Sequence, residues 1–487
     1  MKLDHESCYS ALSARDARFD GSFFVGVSST GIYCRPVCPA RTPLSGNCRF
    51  FGCAAAAEAA GYRPCLRCRP ELAPGNSPLE AGTRLATLAA RRIDIDGLEE
   101  SNLAKLAQSL DISERQLRRS FIASFGVRPV EYLTTRRLLA AKALLTDTRL
   151  SITEIALASG FGSLRRFNTV FKAKYGLAPR HFRKEHDELA RGAENIQLLL
   201  GYRPPFDWQS LLEFLEQRAI PGVEFVQNGS YSRTVSISQN MVSYTGWLTV
   251  NQKPERNALQ VILSDSLAAV LPAVLTRLRA LFDLDADPQA ILQGIAALEL
   301  PAVSAQVQAG LRLPGCFDSF EMSVRAILGQ QISVRAARTL AGRLAAAFGA
   351  PHPTALQELT LTFPTAADIA AIAEPVADSL GPLGITGSRS RSIAGLAKAL
   401  QTGSFRLDRG TNPERLRPKL LALPGIGPWT ADYIIMRALS WPDIFLHTDL
   451  GIRKALEQMG SITIPKLAEE ARPWGSYLTM ALWRSLK

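Results

Sequence analysis

Apolar and polar positions follow distinct rhythms along the chain. From about residue 85 to 184 the apolar residues recur every three to four positions, the period of an amphipathic helix. This stretch also repeats itself: Ser113-Glu-Arg-Gln-Leu-Arg-Arg-Ser-Phe, with Phe125-Gly-Val-Arg-Pro129, is echoed 50 residues later by Ser163-Leu-Arg-Arg-Phe-Asn, Phe171 and Tyr175-Gly-Leu-Ala-Pro179. Two copies of one helical unit are the simplest reading. In the first, Ser113 and Gln116 form an S-x-x-Q capping box after the short helix NLAKLAQSL; in the second, Ser151 and Glu154 cap ITEIALASG ahead of SLRRFNTVFKAKYG. From Ile196 a helical segment gives way to SYSRTVSI, MVSYTGWLTV and NALQVILS, which alternate and carry β-branched residues. That predicts a small α+β domain. After LRLPGCFDSFE the chain is rich in Ala and Leu at helical spacing almost to Lys487, so its C-terminal third is predicted to be mostly helix. Pro-, Gly- and polar-rich segments at 71–82 and 183–195 separate these regions.

Composition narrows the function classes. A length of 487 residues suggests three or so domains, and 47 % apolar with 21 % charged residues excludes wholesale disorder and a collagen-like repeat. The start, MKLDHESCYS, is charged and has no apolar core, and no stretch approaches the roughly 18 apolar residues of a membrane span. A cytoplasmic protein with no membrane partner is expected. The net charge of +12 points to a polyanion such as nucleic acid. Residues 1–190 hold 28 Lys/Arg and 19 Asp/Glu, a net +9, which leaves +3 for the remainder.

Seven of the 8 cysteines precede residue 70, and the eighth is Cys316. Cys34-x3-Cys38, 26 residues, then Cys65-x2-Cys68 forms two chelating pairs of the kind that supplies a tetrahedral zinc site. Buried, unligated thiols are the alternative, and Cys48 with Cys53 offers a competing pair. TGIYCRPVCPAR and GYRPCLRCRPE resemble the N-terminal domain of the Ada family, in which four cysteines hold Zn²⁺ and one removes methyl groups from DNA phosphotriesters. The resemblance implies Cys34, Cys38, Cys65 and Cys68 as ligands and Cys34 as methyl acceptor. Four thiolates on Zn²⁺ sum to −2 and methylating one leaves −1, so methylation is expected to tighten binding to DNA phosphate. Arg35, Arg41, Arg63, Arg67 and Arg69 are candidate phosphate contacts.

Each helical repeat copy reads helix, turn, helix, with Arg115, Arg118, Arg119 or Arg165, Arg166 on the second helix, the pattern of a helix-turn-helix presenting cations to a groove. A helical bundle with a solvated charged face is the alternative. Residues 85–184 resemble the AraC-type DNA-binding domain, which implies binding of promoter DNA, transcriptional activation and RNA polymerase as a partner.

Near the C-terminus, Leu423-Pro-Gly-Ile-Gly-Pro-Trp-Thr-Ala-Asp432 places Gly425 and Gly427 between predicted helices, where backbone N–H groups can approach a phosphate. An ordinary αα turn reads the same way. Asp449, in Phe445-Leu-His-Thr-Asp449, reads on its own either as a helix N-cap or as a functional carboxylate. From GYRPPFDW to the C-terminus the chain is similar to the AlkA class of DNA glycosylases, through LPGCFDSFEMSVRAILGQQISV, LPGIGPWTADY and Thr448-Asp449. The resemblance implies Asp449 as the essential carboxylate and Trp429, Tyr433 and Trp483 as the pocket for an alkylated base. It puts Gln331 where the family carries an apolar wedge, and implies a monovalent cation on backbone carbonyls near Leu421, Leu423 and Ile426. Trp429 stands where strand-cutting relatives have lysine, so no Schiff base is expected. The whole reads as a multidomain α+β protein: a zinc domain (1–75), an all-α double helix-turn-helix (85–184), a small α+β domain (196–305) and an all-α helix-hairpin-helix domain (306–487). Double-stranded DNA with alkylated bases and methylphosphotriesters is the expected partner.

Overall fold

The computed structural model describes residues 4–75, 84–96, 103–110, 112–148, 150–184, 195–239, 242–352, 354, 356–459 and 464–486. Most of the two dividing segments expected from sequence, 76–83 and 185–194, lies outside the described residues. The chain forms two compact units: the first comprises 1–204, 253–276 and 284–286, the second 205–252, 277–283 and 287–487.

In the first unit, β1 (Phe24–Val27), β2 (Ile32–Cys34), β3 (Cys48–Phe51) and β4 (Arg63–Pro64) form a sheet in the order β3-β1-β2-β4. Helix His5–Ser13, begun by Asp4 accepting from the Ser7 N–H, and helix Ala54–Ala59 accompany it. β1 is buried along its whole length, and β4 is only two residues long, so neither carries the alternation by which a strand is recognised in sequence.

The helical repeat is a structural repeat. Helices Leu103–Ser109 and Glu114–Phe125 form the first copy, Ile152–Ala158 and Leu164–Tyr175 the second, with helix Pro129–Asp147 between them. Leu117 and Phe121 of the first copy and Phe167 and Phe171 of the second are fully buried. Gly126 and Gly176 end the two second helices at φ 71° and 74°, a left-handed conformation that glycine adopts without a Cβ penalty. Ser151 and Glu154 make a reciprocal capping box, whereas Ser113 accepts from the Gln116 N–H without the return bond expected from sequence. Strands Asn195–Gly201 and Ala258–Ser264 pair antiparallel in the same unit.

The second unit holds an antiparallel meander of Glu224–Gln227, Ser230–Gln239 and Val242–Lys253. Its remaining elements are nearly all helices. Helices Ser319–Leu328 and Val334–Phe348 flank the turn carrying Gln331, and Pro413–Leu421 and Pro428–Ala438 form the helical hairpin. Leu450–Gln458 and Gly475–Arg484 complete the part that surrounds the site. The arrangement is the multidomain α+β class expected. Among the described residues no helix is long and apolar enough to cross a membrane.

Candidate functional site

Two constellations carry chemistry, one in each unit. In the first unit β2 and β4 run parallel, with Tyr33 opposite Pro64 and the Cys65 N–H donating to the Tyr33 carbonyl at 3.0 Å. Cys34 and Cys65 therefore leave neighbouring strands at the same level, and the turns that follow return Cys38 and Cys68. All four Sγ atoms lie within 4.8 Å of one another, and Cys38 Sγ is 4.0 Å from Cys65 Sγ. Tetrahedral zinc with bonds of about 2.3 Å places sulfurs about 3.8 Å apart, so the donor set and its spacing fit that ion. As bare thiols the four share protons unevenly. Hydrogen bonding from Cys34 brings Cys38 down to about 7 and Cys65 lower still, while bonds to the other thiols push Cys34 and Cys68 well up. Cys34 is the most exposed of the set, at 9 %. Cys48 Sγ donates to the Leu44 carbonyl and Cys53 Sγ to that of Phe125, so the competing pair is not part of the cluster.

In the second unit a cavity of about 1240 Å³ opens beside the helical hairpin. Trp429 sits in the first turn of helix Pro428–Ala438 and Tyr433 one turn on, so their rings stack, with centroids 5.1 Å apart and planes at 9°. Trp483, from helix Gly475–Arg484, meets Tyr433 edge-on at 6.1 Å. Asp449 caps helix Leu450–Gln458: its Oδ1 accepts from the N–H groups of Gly451 at 2.9 Å and Ile452 at 3.2 Å. The same carboxylate accepts from both indoles, Trp483 Nε1 to Oδ1 at 2.8 Å and Trp429 Nε1 to Oδ2 at 3.1 Å. Four donors thus fix a carboxylate on the wall of the cavity, at the positive end of a helix. A cation developing in that space would meet a preorganised negative charge.

Family models match four consecutive segments: the metal binding domain of Ada over residues 7–71, a helix-turn-helix domain over 106–185, the AlkA N-terminal domain over 197–318, and the HhH-GPD superfamily of base excision DNA repair proteins over 324–473. A Mycobacterium tuberculosis (strain CDC 1551 / Oshkosh) protein named "Probable bifunctional transcriptional activator/DNA repair enzyme AlkA" is 37 % identical over 498 residues, covering 100 % of this chain and 97 % of its own length. The chain belongs to this bifunctional activator and repair family. Parts of it are similar to separate proteins of Escherichia coli (strain K12). DNA-3-methyladenine glycosylase 2 is 34 % identical over 58 % of this chain and 95 % of its own. The bifunctional transcriptional activator/DNA repair enzyme Ada is 31 % identical over 39 % of this chain and 51 % of its own.

In this bifunctional enzyme the remaining candidates fall as follows. Gln331 is exposed at the cavity rim in a left-handed turn, φ 56°. Its neighbour Gln330 ties that turn to the hairpin, donating to the Gly425 carbonyl at 2.9 Å and to Thr430 Oγ1 at 3.0 Å. Gly425 lies at φ 76°, and a Cβ there would fall 2.3 Å from Ser392 Oγ; Gly427 caps the second hairpin helix. Arg119, Arg165 and Arg166 are exposed on the two second helices, Arg118 is paired with Glu114 at 2.9 Å, and Arg41 is exposed on a loop. Arg35 is a correction. Its Nε donates to Asp20 Oδ1 at 2.8 Å, its Nη1 to the Cys68 carbonyl at 3.1 Å, and its side chain is 13 % exposed, so it braces the thiol cluster from inside and does not offer itself to phosphate.

Sequence reasoning missed the inner end of the cavity. Arg437 donates to the Tyr433 hydroxyl at 2.8 Å, and burial brings Arg218 down to about 10. Burial of Tyr433 is outweighed by Arg437, Arg218 and Arg325, which together hold its phenol below the ordinary value. Arg437 lies four residues after Tyr433 and eight after Trp429, so the helical period could have found it; Arg218, from a distant segment, gave no signal.

Proposed function

We propose that this protein repairs alkylated DNA in two ways and regulates the response to alkylation. The C-terminal helices release alkylated bases such as 3-methyladenine by hydrolysis of the N-glycosidic bond. The clamped Asp449 carboxylate in an aromatic cavity is the observation that carries this reading. An alkylated purine is flipped into the cavity, against aromatic rings that attract its positive charge. The base leaves with the bonding electrons, the deoxyribose becomes oxocarbenium-like, and Asp449 lowers the energy of that cation until water adds and loses a proton. Gln331 enters the stack at the vacated position, and the Gly425–Gly427 turn holds the DNA backbone; the carbonyls near Leu421, Leu423 and Ile426 would hold a monovalent cation, which would supply positive charge for the phosphate.

In the N-terminal part Cys34, Cys38, Cys65 and Cys68 hold Zn²⁺, which keeps their sulfurs deprotonated when bound. Cys34, the most exposed, attacks the methyl carbon of a methylphosphotriester; the carbon–oxygen bond breaks and an ordinary phosphodiester leaves. Arg41, Arg118, Arg119, Arg165 and Arg166 contact DNA, and the helical repeats read promoter DNA as a cytoplasmic activator that engages RNA polymerase. The modules run 1–75, 85–184, 196–305 and 306–487. The test is a duplex carrying one methylphosphotriester. Cys34 should gain the mass of one methyl group, and the modified protein should bind DNA more tightly at low salt. Unmodified Cys34 after complete DNA binding would contradict the acceptor role.

A further inference from the structure

The first unit contains a contact that nothing in either reaction requires. Phe125 and Tyr175 end the second helices of the two repeat copies, 50 residues apart, and the backbone carbonyl of each accepts a bond from the thiol-cluster module. Cys53 Sγ donates to Phe125 O at 3.3 Å and Arg63 Nη1 to Tyr175 O at 3.3 Å. Cys53 precedes helix Ala54–Ala59 and Arg63 lies in β4, so equivalent points of the helical repeat grip the two ends of one short segment. Between those ends stands Glu58, 2 % exposed. Its Oε1 accepts from Tyr33, the residue before Cys34, at 3.2 Å, and its Oε2 from Thr135 Oγ1 of helix Pro129–Asp147 at 2.9 Å. Lys174 Nζ donates to its backbone carbonyl at 3.1 Å. A second clamp joins Glu71, three residues after Cys68, to Lys142 of the same long helix at 2.6 Å, with side chains 3 % and 2 % exposed; Glu71 also accepts from Arg69 Nε at 3.0 Å, whereas the Lys142 ammonium sits on Glu71.

A fully buried ion pair contributes little net stability, but separating its members would leave the buried Lys142 ammonium uncompensated, which is strongly destabilising. Such a pair therefore selects one arrangement of the surfaces that carry it. Glu58 acts in the same sense, since its carboxyl group would lose the Thr135 partner while staying buried. We infer that Glu58 and the Lys142–Glu71 pair are positioning residues that lock the methyl-acceptor module and the double helix-turn-helix into a single DNA-reading body. The phosphate that Cys34 repairs then lies at a fixed offset from the base pairs beneath helices Glu114–Phe125 and Leu164–Tyr175. This rests on the acceptor role proposed above for Cys34.

Hydroxyl-radical footprints of the full-length protein test the lock, on two duplexes that differ in moving a single methylphosphotriester by half a helical turn. Complexes are read before methyl transfer, while the triester still stands in the duplex, and the mass of Cys34 is followed afterwards on the same samples, so failure of the acceptor role is seen separately, as absence of the added methyl. Protections lost in an Arg165→Ala, Arg166→Ala protein identify the helix-turn-helix contribution. In the wild type those protections should move with the triester and keep one offset. In Thr135→Val combined with Lys142→Met they should smear over several base pairs, with affinity for the triester duplex falling about ten-fold as the modules bind independently. Glu58→Gln, which keeps an oxygen acceptor, should retain the sharp pattern. If the double variant does not accept the methyl, Thr135→Val alone is read in its place. Wild-type protections that stay put when the triester moves, or a variant footprint as sharp as wild type, overturn the inference.

Discussion

At the scale of the residue, Asp449 shows why two readings of one side chain need not compete. Sequence offers it as a helix N-cap or as a functional carboxylate, and the structure has it capping helix Leu450–Gln458 while facing the cavity. The cap is what fixes the carboxylate. Its two indole donors are equally part of the arrangement, and a hydrogen bond to a charged group is worth about 1.5–3 kcal/mol. Trp483→Phe keeps an aromatic wall but removes the donor at 2.8 Å. We expect base release by this variant to fall at least about ten-fold in kcat with a smaller change in KM, measured on alkylated duplex DNA. An unchanged kcat would mean that the indole N–H does not orient the carboxylate. The thiol cluster was legible only through the resemblance to the Ada family, which singled out Cys34, Cys38, Cys65 and Cys68 where spacing alone left Cys48 and Cys53 as a competing pair. Arg35 was not: its partner Asp20 lies 15 residues earlier, with no period connecting them.

At the scale of elements, repeats and turns were legible and short strands were not. The 50-residue echo fixed both helical copies because identical positions are buried in each. β1 and β4 escaped because a fully buried four-residue strand and an Arg-Pro pair carry no alternation. Two predictions belong here. Gly425→Ala forces a Cβ into Ser392 at a left-handed backbone position, so it should cost about 1–3 kcal/mol of stability in the second unit, read by thermal or denaturant unfolding, and weaken DNA binding there. Burial pushes the Glu58 carboxyl up to about 7 from an ordinary value near 4.5. The folded state therefore holds a proton that the unfolded chain has released, and this contribution is fully present below about pH 4.5 and lost as pH rises to about 7. The loss amounts to about 3 kcal/mol. Glu58→Gln should flatten that part of the stability–pH curve, followed by denaturant unfolding between pH 4.5 and 7.5; a parallel curve would show that Glu58 does not titrate there.

At the scale of the whole molecule, charge and chemistry divide along the chain. The excess of cations lies in residues 1–190, which hold the helical repeats and the thiol cluster that we propose meet DNA; the C-terminal half carries the hairpin turn and a shaped cavity. Because each centre is complete within its own compact unit, the two reactions should be separable. Removing zinc with a chelator should abolish methyl acceptance by Cys34 and leave release of alkylated bases within about two-fold; a parallel loss of both would contradict independent centres. The central claim is that the chain excises alkylated bases through Asp449. It is tested most directly by release of free methylated purines from alkylated duplex DNA by the wild type and by Asp449→Asn, which retains a capping oxygen. The wild type should release bases, and the variant should bind the same DNA but release them at least about 100-fold more slowly. Equal release by the two proteins, or none by the wild type while it binds DNA, would contradict the account.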